Sequence, residues 1–267
     1  MESMNLFDLT GKNIAITAGH SYLGSAISLA LRDFGATVHV LSRDEGKFKN
    51  VFSGNCKHEL GGRVVFQQCD ISSTKSIKNA MQQVFINGGS IDGLINNANY
   101  TNIDSDPLGL SDESWTYTVD GVLSSVYRCI REVAHHMKKS GGGSIVNISS
   151  MYGLISPDFE VYIDNPEMLN PPHYGAAKAG VIQLSRYFSE FLGGEGIRVN
   201  TISPGAFPTE KIQQKKIFIE NLEKKTALGR IGLPQDIQGA AVYLVSEASS
   251  YVTGHNLVVD GGWTASR

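Results

Sequence analysis

Cysteine is scarce. Cys56, Cys69 and Cys129 are far apart in 267 residues and form no C-x-x-C pair. Neither a disulfide framework nor a cysteine-based zinc site is indicated, and free, partly buried thiols are expected. Long apolar runs are also missing: no stretch approaches the ~18 continuous apolar residues that cross a bilayer. Met1–Thr10 carries acids and no signal-peptide core, so the expectation is a cytoplasmic protein with no membrane partner. A strong charge of either sign is lacking too. The net charge of -3 with 18% charged residues gives no bulk attraction to phosphate backbones, which argues against a nucleic-acid partner. The seven histidines show no H-E-x-x-H or comparable spacing, and the neighbours His135 and His136 on one helix point in different directions, so no metal is assigned.

Short β-branched runs alternate with longer amphipathic stretches, uninterrupted by linker or low-complexity sequence. This is the pattern of βαβ crossovers feeding a mostly parallel sheet. Strands are expected near Asn13–Ala18, Thr37–Leu41, Arg63–Gln68, Ile91–Asn96, Gly143–Ser149, Ile197–Ile202 and Asn256–Val259, mostly continuous apolar runs that suit a sheet covered on both faces. Leu23, Ile27, Ala30, Leu31 and Phe34 make one buried helical stripe, and Asp112–Lys139 and Tyr174–Leu192 read as further helices. The fold class expected is α/β: a Rossmann-type, doubly wound, seven-stranded and mostly parallel sheet flanked by helices, as one domain over residues 1–267. Two segments break the rhythm, proline-rich Ser156–His173 and polar, lysine-rich Ala206–Thr226. Both are candidates for loops or lids at the active site.

Directly after the first strand comes Thr17-Ala18-Gly19-His20-Ser21-Tyr22-Leu23-Gly24, leading into a helix. Small residues there let backbone N–H groups and a helix N-terminus approach a pyrophosphate. Gly19, Ser21, Tyr22, Leu23 and Gly24 are the candidate binding residues. In one reading Gly19 makes the turn and Ser21 the close approach. The second strand ends at Ser42-Arg43, where the side chain meets the adenosine ribose. Ser42 lacks the charge that would repel a 2′-phosphate and Arg43 can grip one, which points to NADP(H), with NAD(H) as the alternative.

Tyr174 and Lys178 lie four apart, on one face of a helix. Around them stand Asp70-Ile71, Asn96-Asn97-Ala98, Ser149-Ser150, Arg198-Val199-Asn200, Pro204-Gly205 with Thr209, Tyr251-Val252-Thr253-Gly254 and Asp260-Gly261-Gly262. In this order the chain resembles the short-chain dehydrogenase/reductase family over essentially its whole length. The resemblance implies that Tyr174 is the general acid/base, that Lys178 holds the nicotinamide ribose and lowers the tyrosine's pKa, and that Ser150 bonds the substrate oxygen. It further implies that Asp70 and Ile71 contact adenine, that Asn96, Asn97, Ala98 and Asn99 line the cofactor, and that Pro204, Gly205, Phe207 and Thr209 reach its carboxamide end. The ending Val258–Trp263 resembles a segment that packs between subunits, implying a homotetramer or homodimer.

Three departures accompany the resemblance. Asn99 replaces a glycine, as a residue that visits left-handed conformations readily. Val122 stands where a proton-relay asparagine is expected. Twenty-four positions separate Ser150 from Tyr174, about twice the family's spacing. Asp158, Glu160, Asp164 and Glu167 in that insertion read as a solvated loop or as a hydroxyl-binding wall for a sugar-like substrate, and Lys211–Lys225 as a solvated lid helix. The function expected is an NADP(H)-dependent oxidoreductase interconverting a secondary alcohol and a ketone, with a sugar, sugar acid or polyol derivative as candidate small-molecule substrate. The alternative is a non-catalytic dinucleotide-binding or regulatory protein on the same fold.

Overall fold

The computed structural model describes residues 6–54, 62–102 and 106–266; the Cys56 expectation lies outside them. Seven described strands form a single sheet: β1 (Asn13–Thr17), β2 (Thr37–Ser42), β3 (Arg63–Gln68), β4 (Gly93–Asn96), β5 (Gly143–Ile148), β6 (Ile197–Pro204) and β7 (Asn256–Val259). Their order is β3-β2-β1-β4-β5-β6-β7, and every adjacent pair is parallel. Every residue of β1 is buried, because helices cover both faces. On one face lie α1 (Tyr22–Asp33), α2 (Glu45–Phe52) and α9 (Gln238–Val245), packing Ile27, Leu31, Phe52, Val242 and Leu244 against the strands. On the other lie α3 (Thr74–Gly88), α5 (Ser125–Lys139) and α6 (Pro172–Gly193), which contribute Ile77, Val84, Ile130, Val133 and Val181. Each such fully buried aliphatic side chain stabilises the fold by about 1.5–3 kcal/mol. No helix among the described residues is long and apolar enough to cross a membrane.

The expected helix Asp112–Lys139 is broken. It runs as α4 (Asp112–Val119), a π-helical segment Asp120–Ser124 and then α5. The segment passes close to the chain leaving β4: a Cβ on Gly121 would lie 2.0 Å from the Tyr100 carbonyl oxygen. The Gly121 carbonyl is satisfied by the Ser125 hydroxyl at 2.7 Å.

The proline-rich segment holds two short 3-10 turns, Phe159–Tyr162 and Pro166–Met168, and the lysine-rich one carries α7 (Glu210–Gln213) and α8 (Lys216–Glu223). Strand order reverses direction between β1 and β4, so the crossovers leave to opposite sides there and open a crevice beyond the carboxyl ends of the strands. The loops after β1, β4, β5 and β6 all begin at that end.

Candidate active site

The turn after β1 is built tightly. Ser21 caps α1, its Oγ accepting from Gly24 N at 3.3 Å. The left-handed residue is Ala18, at φ 48°, and not Gly19. This corrects the expectation that Gly19 makes the turn. Gly19 is needed for space instead: a Cβ there would lie 2.7 Å from both Ile16 and Ser28. Gly24 is equally constrained, its would-be Cβ 2.3 Å from the Ala18 carbonyl. Leu23 packs partly buried against the α1–α9 core. Tyr22 turns outward, and its hydroxyl accepts from Gln213 Nε2 at 3.1 Å, linking the turn to α7.

Asn97 locks this turn to β4. Its amide donates to Thr17 O, Ala18 O and Ser21 Oγ, each at 3.1 Å. The main-chain N–H groups of Asn97 and Ala98 both donate to Thr17 Oγ1, at 3.0 and 2.9 Å. Asn96, expected beside the cofactor, points into the sheet instead, where its Nδ2 donates to Asn147 Oδ1 at 2.8 Å and Asn147 donates to Ser185. Asn99 is exposed, and among the described non-glycine residues only Ala18 has positive φ. The left-handed tolerance anticipated for Asn99 is therefore not used.

Beside the turn lies a cavity of about 160 Å³, lined by Ala18, His20, Ser42, Arg43, Ile71 and Tyr100 among others. Ser42 is buried and accepts from Asp44 N at 3.0 Å. The Asp44 carboxylate caps α2 through Lys47 N at 2.9 Å and lies 3.7 Å from Lys47 Nζ, so the acid nearest the cavity is engaged. With Lys47 set against Asp44, Arg43 leaves the rim cationic. Asp70 accepts from Ser72 N and Oγ at 2.9 and 2.8 Å, which spends one carboxylate oxygen on its own turn.

Ser150, Tyr174 and Lys178 come together past the end of β5. Ser149 Oγ donates to the Lys178 carbonyl at 2.8 Å, tying the strand end to α6. Ser150 Oγ accepts from Tyr152 N at 3.1 Å. Lys178 is buried and donates to the Ile148 carbonyl at 2.7 Å, with its Nζ 5.6 Å from the Tyr174 ring centre. Burial pulls Lys178 down from 10.5 to about 8, because a charged amine loses water that a single carbonyl does not replace. Burial pushes the Tyr174 phenol up, and its hydrogen bond with Ser150 opposes the rise without overcoming it. The expected lowering by Lys178 thus does not prevail in this arrangement. Val122 is buried in the core that includes Ala177 and Val181, and puts no polar group at the expected relay position.

Part of the insertion is packed and part is exposed. Val161 and Tyr162 are buried with Phe218 and Leu222 of α8, Met151, Tyr152 and Trp263, and Tyr174 packs against the same cluster. Three of its acids pair with lysines of the segment after β6. Asp158 meets Lys225 at 2.7 Å, Glu160 meets it at 3.5 Å, and Glu167 pairs with Lys215. The Tyr152 and Tyr162 hydroxyls are hydrogen-bonded, and Asn170 Nδ2 donates to Tyr162 at 3.5 Å. Trp263 is fully buried within its own chain, so no second subunit is required to cover it.

Pro204, the last residue of β6, is buried, and Gly205 sits where a Cβ would be 2.6 Å from Asp260. Phe207 packs partly buried on the α1–α9 core. Thr209 is exposed at the start of α7, its carbonyl accepting from Ile212 and Gln213 N. Sequence reasoning missed Ala18, Gln213 and a trio of Tyr100, Asp120 and Arg128. Arg128 donates to both Asp120 oxygens at 2.8 and 3.0 Å and to Ile71 O at 3.2 Å, and Tyr100 donates to Asp120. No spacing rule signals the trio, since Tyr100 lies in the loop after β4 while Asp120 and Arg128 lie on the helical stretch from 120 to 139.

Known proteins resemble this chain in sequence and in fold. A family model described as Enoyl-(Acyl carrier protein) reductase matches residues 17–264. The chain is 34% identical over 258 residues to 3-oxoacyl-acyl-carrier-protein reductase of Chlamydia muridarum, covering 95% of this chain and 98% of that protein. It is 31% identical over 267 residues to sorbose reductase of Candida albicans, covering 98% and 90%. Among solved structures it resembles a gluconate 5-dehydrogenase of Burkholderia cenocepacia in complex with NADP and tartrate, with TM-score 0.86, 26% identity and 99% of each chain covered.

Proposed function

We propose that this chain, which belongs to the short-chain dehydrogenase/reductase family and is an oxidoreductase, interconverts a secondary alcohol and a ketone with NADP(H), on a sugar, sugar acid or polyol derivative. The observation that carries the reading is the meeting of three side chains past the end of β5: Tyr174 is hydrogen-bonded with Ser150, and Lys178 Nζ lies 5.6 Å from the Tyr174 ring centre. The non-catalytic alternative gives way to that membership. Support for the substrate class comes from the sorbose reductase and the gluconate 5-dehydrogenase, and support for NADP(H) from the cationic rim of the cavity beside Ser42.

The residues present fit a dinucleotide. Gly19, Ser21, Tyr22, Leu23 and Gly24 would hold the pyrophosphate at the α1 N-terminus. Ser42 and Arg43 would take the phosphorylated ribose, and Asp70 and Ile71 the adenine. Asn97, Ala98 and Asn99 would line the middle, and Pro204, Gly205, Phe207 and Thr209 the nicotinamide end. The dinucleotide, when bound, supplies the hydride chemistry.

Within the chain, Ser150 Oγ would donate to the substrate oxygen, and its bond from Tyr152 N holds the oxygen in place. Tyr174 gives its phenolic proton to that oxygen in reduction and takes it back in oxidation. Burial suits the reducing direction, since it keeps the phenol protonated. Lys178 stays positively charged below about pH 8 and stabilises the phenolate left behind. The lid and insertion exclude water from this wall through Val161, Phe218 and Leu222.

Only small-molecule chemistry is proposed, in a cytoplasmic protein acting as a homotetramer or homodimer. The exposed rings of Tyr187 and Phe191 on α6 support self-association. The test of function is NADPH oxidation against a panel of ketoses and keto sugar acids. Tyr174→Phe is expected to lower turnover about 100-fold or more while NADPH still binds. Full turnover in the variant would remove Tyr174 from the role.

A further inference from the structure

The trio Tyr100, Asp120 and Arg128 joins three parts of the chain that sequence alone keeps apart. Tyr100 follows β4, Asp120 opens the π-helical segment and Arg128 lies two turns further along, in α5. Asp120 receives the Tyr100 hydroxyl on Oδ2 and both ends of the Arg128 guanidinium, NH1 on Oδ1 at 2.8 Å and NH2 on Oδ2 at 3.0 Å. The same NH2 reaches the carbonyl of Ile71, in the loop after β3, at 3.2 Å. The Arg128 side chain is only 15% exposed, so a planar fork is held in one orientation at low residual entropy.

Two of the loops it ties, through Ile71 and Tyr100, line the cavity beside the β1 turn, while Arg128 itself does not. The anchoring is reinforced nearby. Thr118 Oγ1 accepts from Asn102 N at 3.1 Å and lies 3.1 Å from Thr101 Oγ1, and Gly121 lets the Tyr100 carbonyl approach the helix. This is the stretch in which Asn99 stands in place of the resemblance's glycine. Its conformation is set by side-chain tethers.

We infer that Arg128 is a positioning residue for the adenosine half of the dinucleotide: through Asp120 and Tyr100 on one side and Ile71 on the other, it fixes the two loops between which adenine would lie. The inference rests on the dinucleotide reading above and deepens it. The geometry makes the trio one unit. The gap needs both loops in place, so once either the Tyr100 or the Arg128 link is cut, the second cut adds little to the first.

The experiment measures dissociation constants of adenosine 2′,5′-bisphosphate and of NADPH for the full-length protein and for Arg128→Met, Arg128→Lys, Tyr100→Phe and the Tyr100→Phe/Arg128→Met double variant. Melting temperatures are recorded alongside. Arg128→Met is expected to weaken both ligands about tenfold, and Arg128→Lys to recover part of that loss. The double variant is expected to be no weaker than the worse single one. A merely structural role would lower the melting temperature and leave both constants unchanged, and that result overturns the inference. If Arg128→Met fails to fold, Tyr100→Phe, which removes one hydroxyl, carries the test, and unchanged affinity there overturns it equally. Failure of the unaltered protein to bind either probe overturns the dinucleotide reading, and this inference with it; normal binding that ignores the substitutions overturns this inference alone.

Discussion

Lys178 points its ammonium at the carbonyl oxygen of Ile148, 2.7 Å away, in a site where burial pulls its pKa down to about 8. The unfolded lysine would titrate near 10.5. Between these values the unfolded chain binds more protons than the folded one, so stability rises with pH across that window. Below about pH 8 the full cost of a buried charge is present; it is relieved as pH rises through 8 and is gone by about 10.5. At about 1.4 kcal/mol per pH unit, the relief is about 3 kcal/mol. Denaturant unfolding at pH 7.5 and pH 10.5, compared with Lys178→Met, is expected to show the unaltered protein gaining about that much relative to the variant. Parallel curves would mean that Lys178 is not charged and buried as described.

Ala18 holds φ 48° without being glycine. A left-handed alanine costs about 1–2 kcal/mol, partly offset because glycine gains more freedom when unfolded. Ala18→Gly is expected to stabilise the protein by about 0.5–1 kcal/mol, seen as a rise of about 1–4 °C in melting temperature. A fall would show that the turn is not left-handed there.

Two kinds of contact fasten the insertion to the segment after β6, and they differ in weight. Lys225 is part-exposed in its pairing with Asp158, so Lys225→Ala is expected to cost less than about 1 kcal/mol. Val161 is fully enclosed beside Phe218, and Val161→Ala should cost about 2 kcal/mol from lost burial and the cavity left behind. Thermal melts of the two variants test the order, and a reversed ranking would show that charge is the main fastening.

Ser42 bears on cofactor choice. Ser42→Asp would set a carboxylate against the 2′-phosphate and offer an acceptor to a free hydroxyl. The ratio of NADPH to NADH affinity is expected to fall by about tenfold or more. An unchanged ratio would show that recognition lies elsewhere on the rim.

Most of the sheet was legible in the sequence because most strands are apolar runs covered on both faces, and all seven lie within a few residues of expectation. β4 begins at Gly93 rather than Ile91, since the Asp92 side chain is used to accept from Asn13 N at 2.8 Å. The break at Asp120–Ser124 was not legible: the apolar periodicity continues through it, and its cause is a carbonyl from another loop. The insertion hid for a related reason. Val161 and Tyr162 are two buried residues among prolines and acids, and the lysines that pair with those acids lie about 50–70 positions further on. Ser150, Tyr174 and Lys178 were found through order and spacing, but the pKa balance around them depends on burial that spacing does not report.

The most direct test of a dinucleotide-binding oxidoreductase is a fluorescence titration of the purified protein with NADPH and, separately, NADH. The expected result is saturable NADPH binding at least about tenfold tighter than NADH binding. Preference for NADH would contradict the reading of Ser42 and Arg43. No saturable binding of either would contradict the central claim itself.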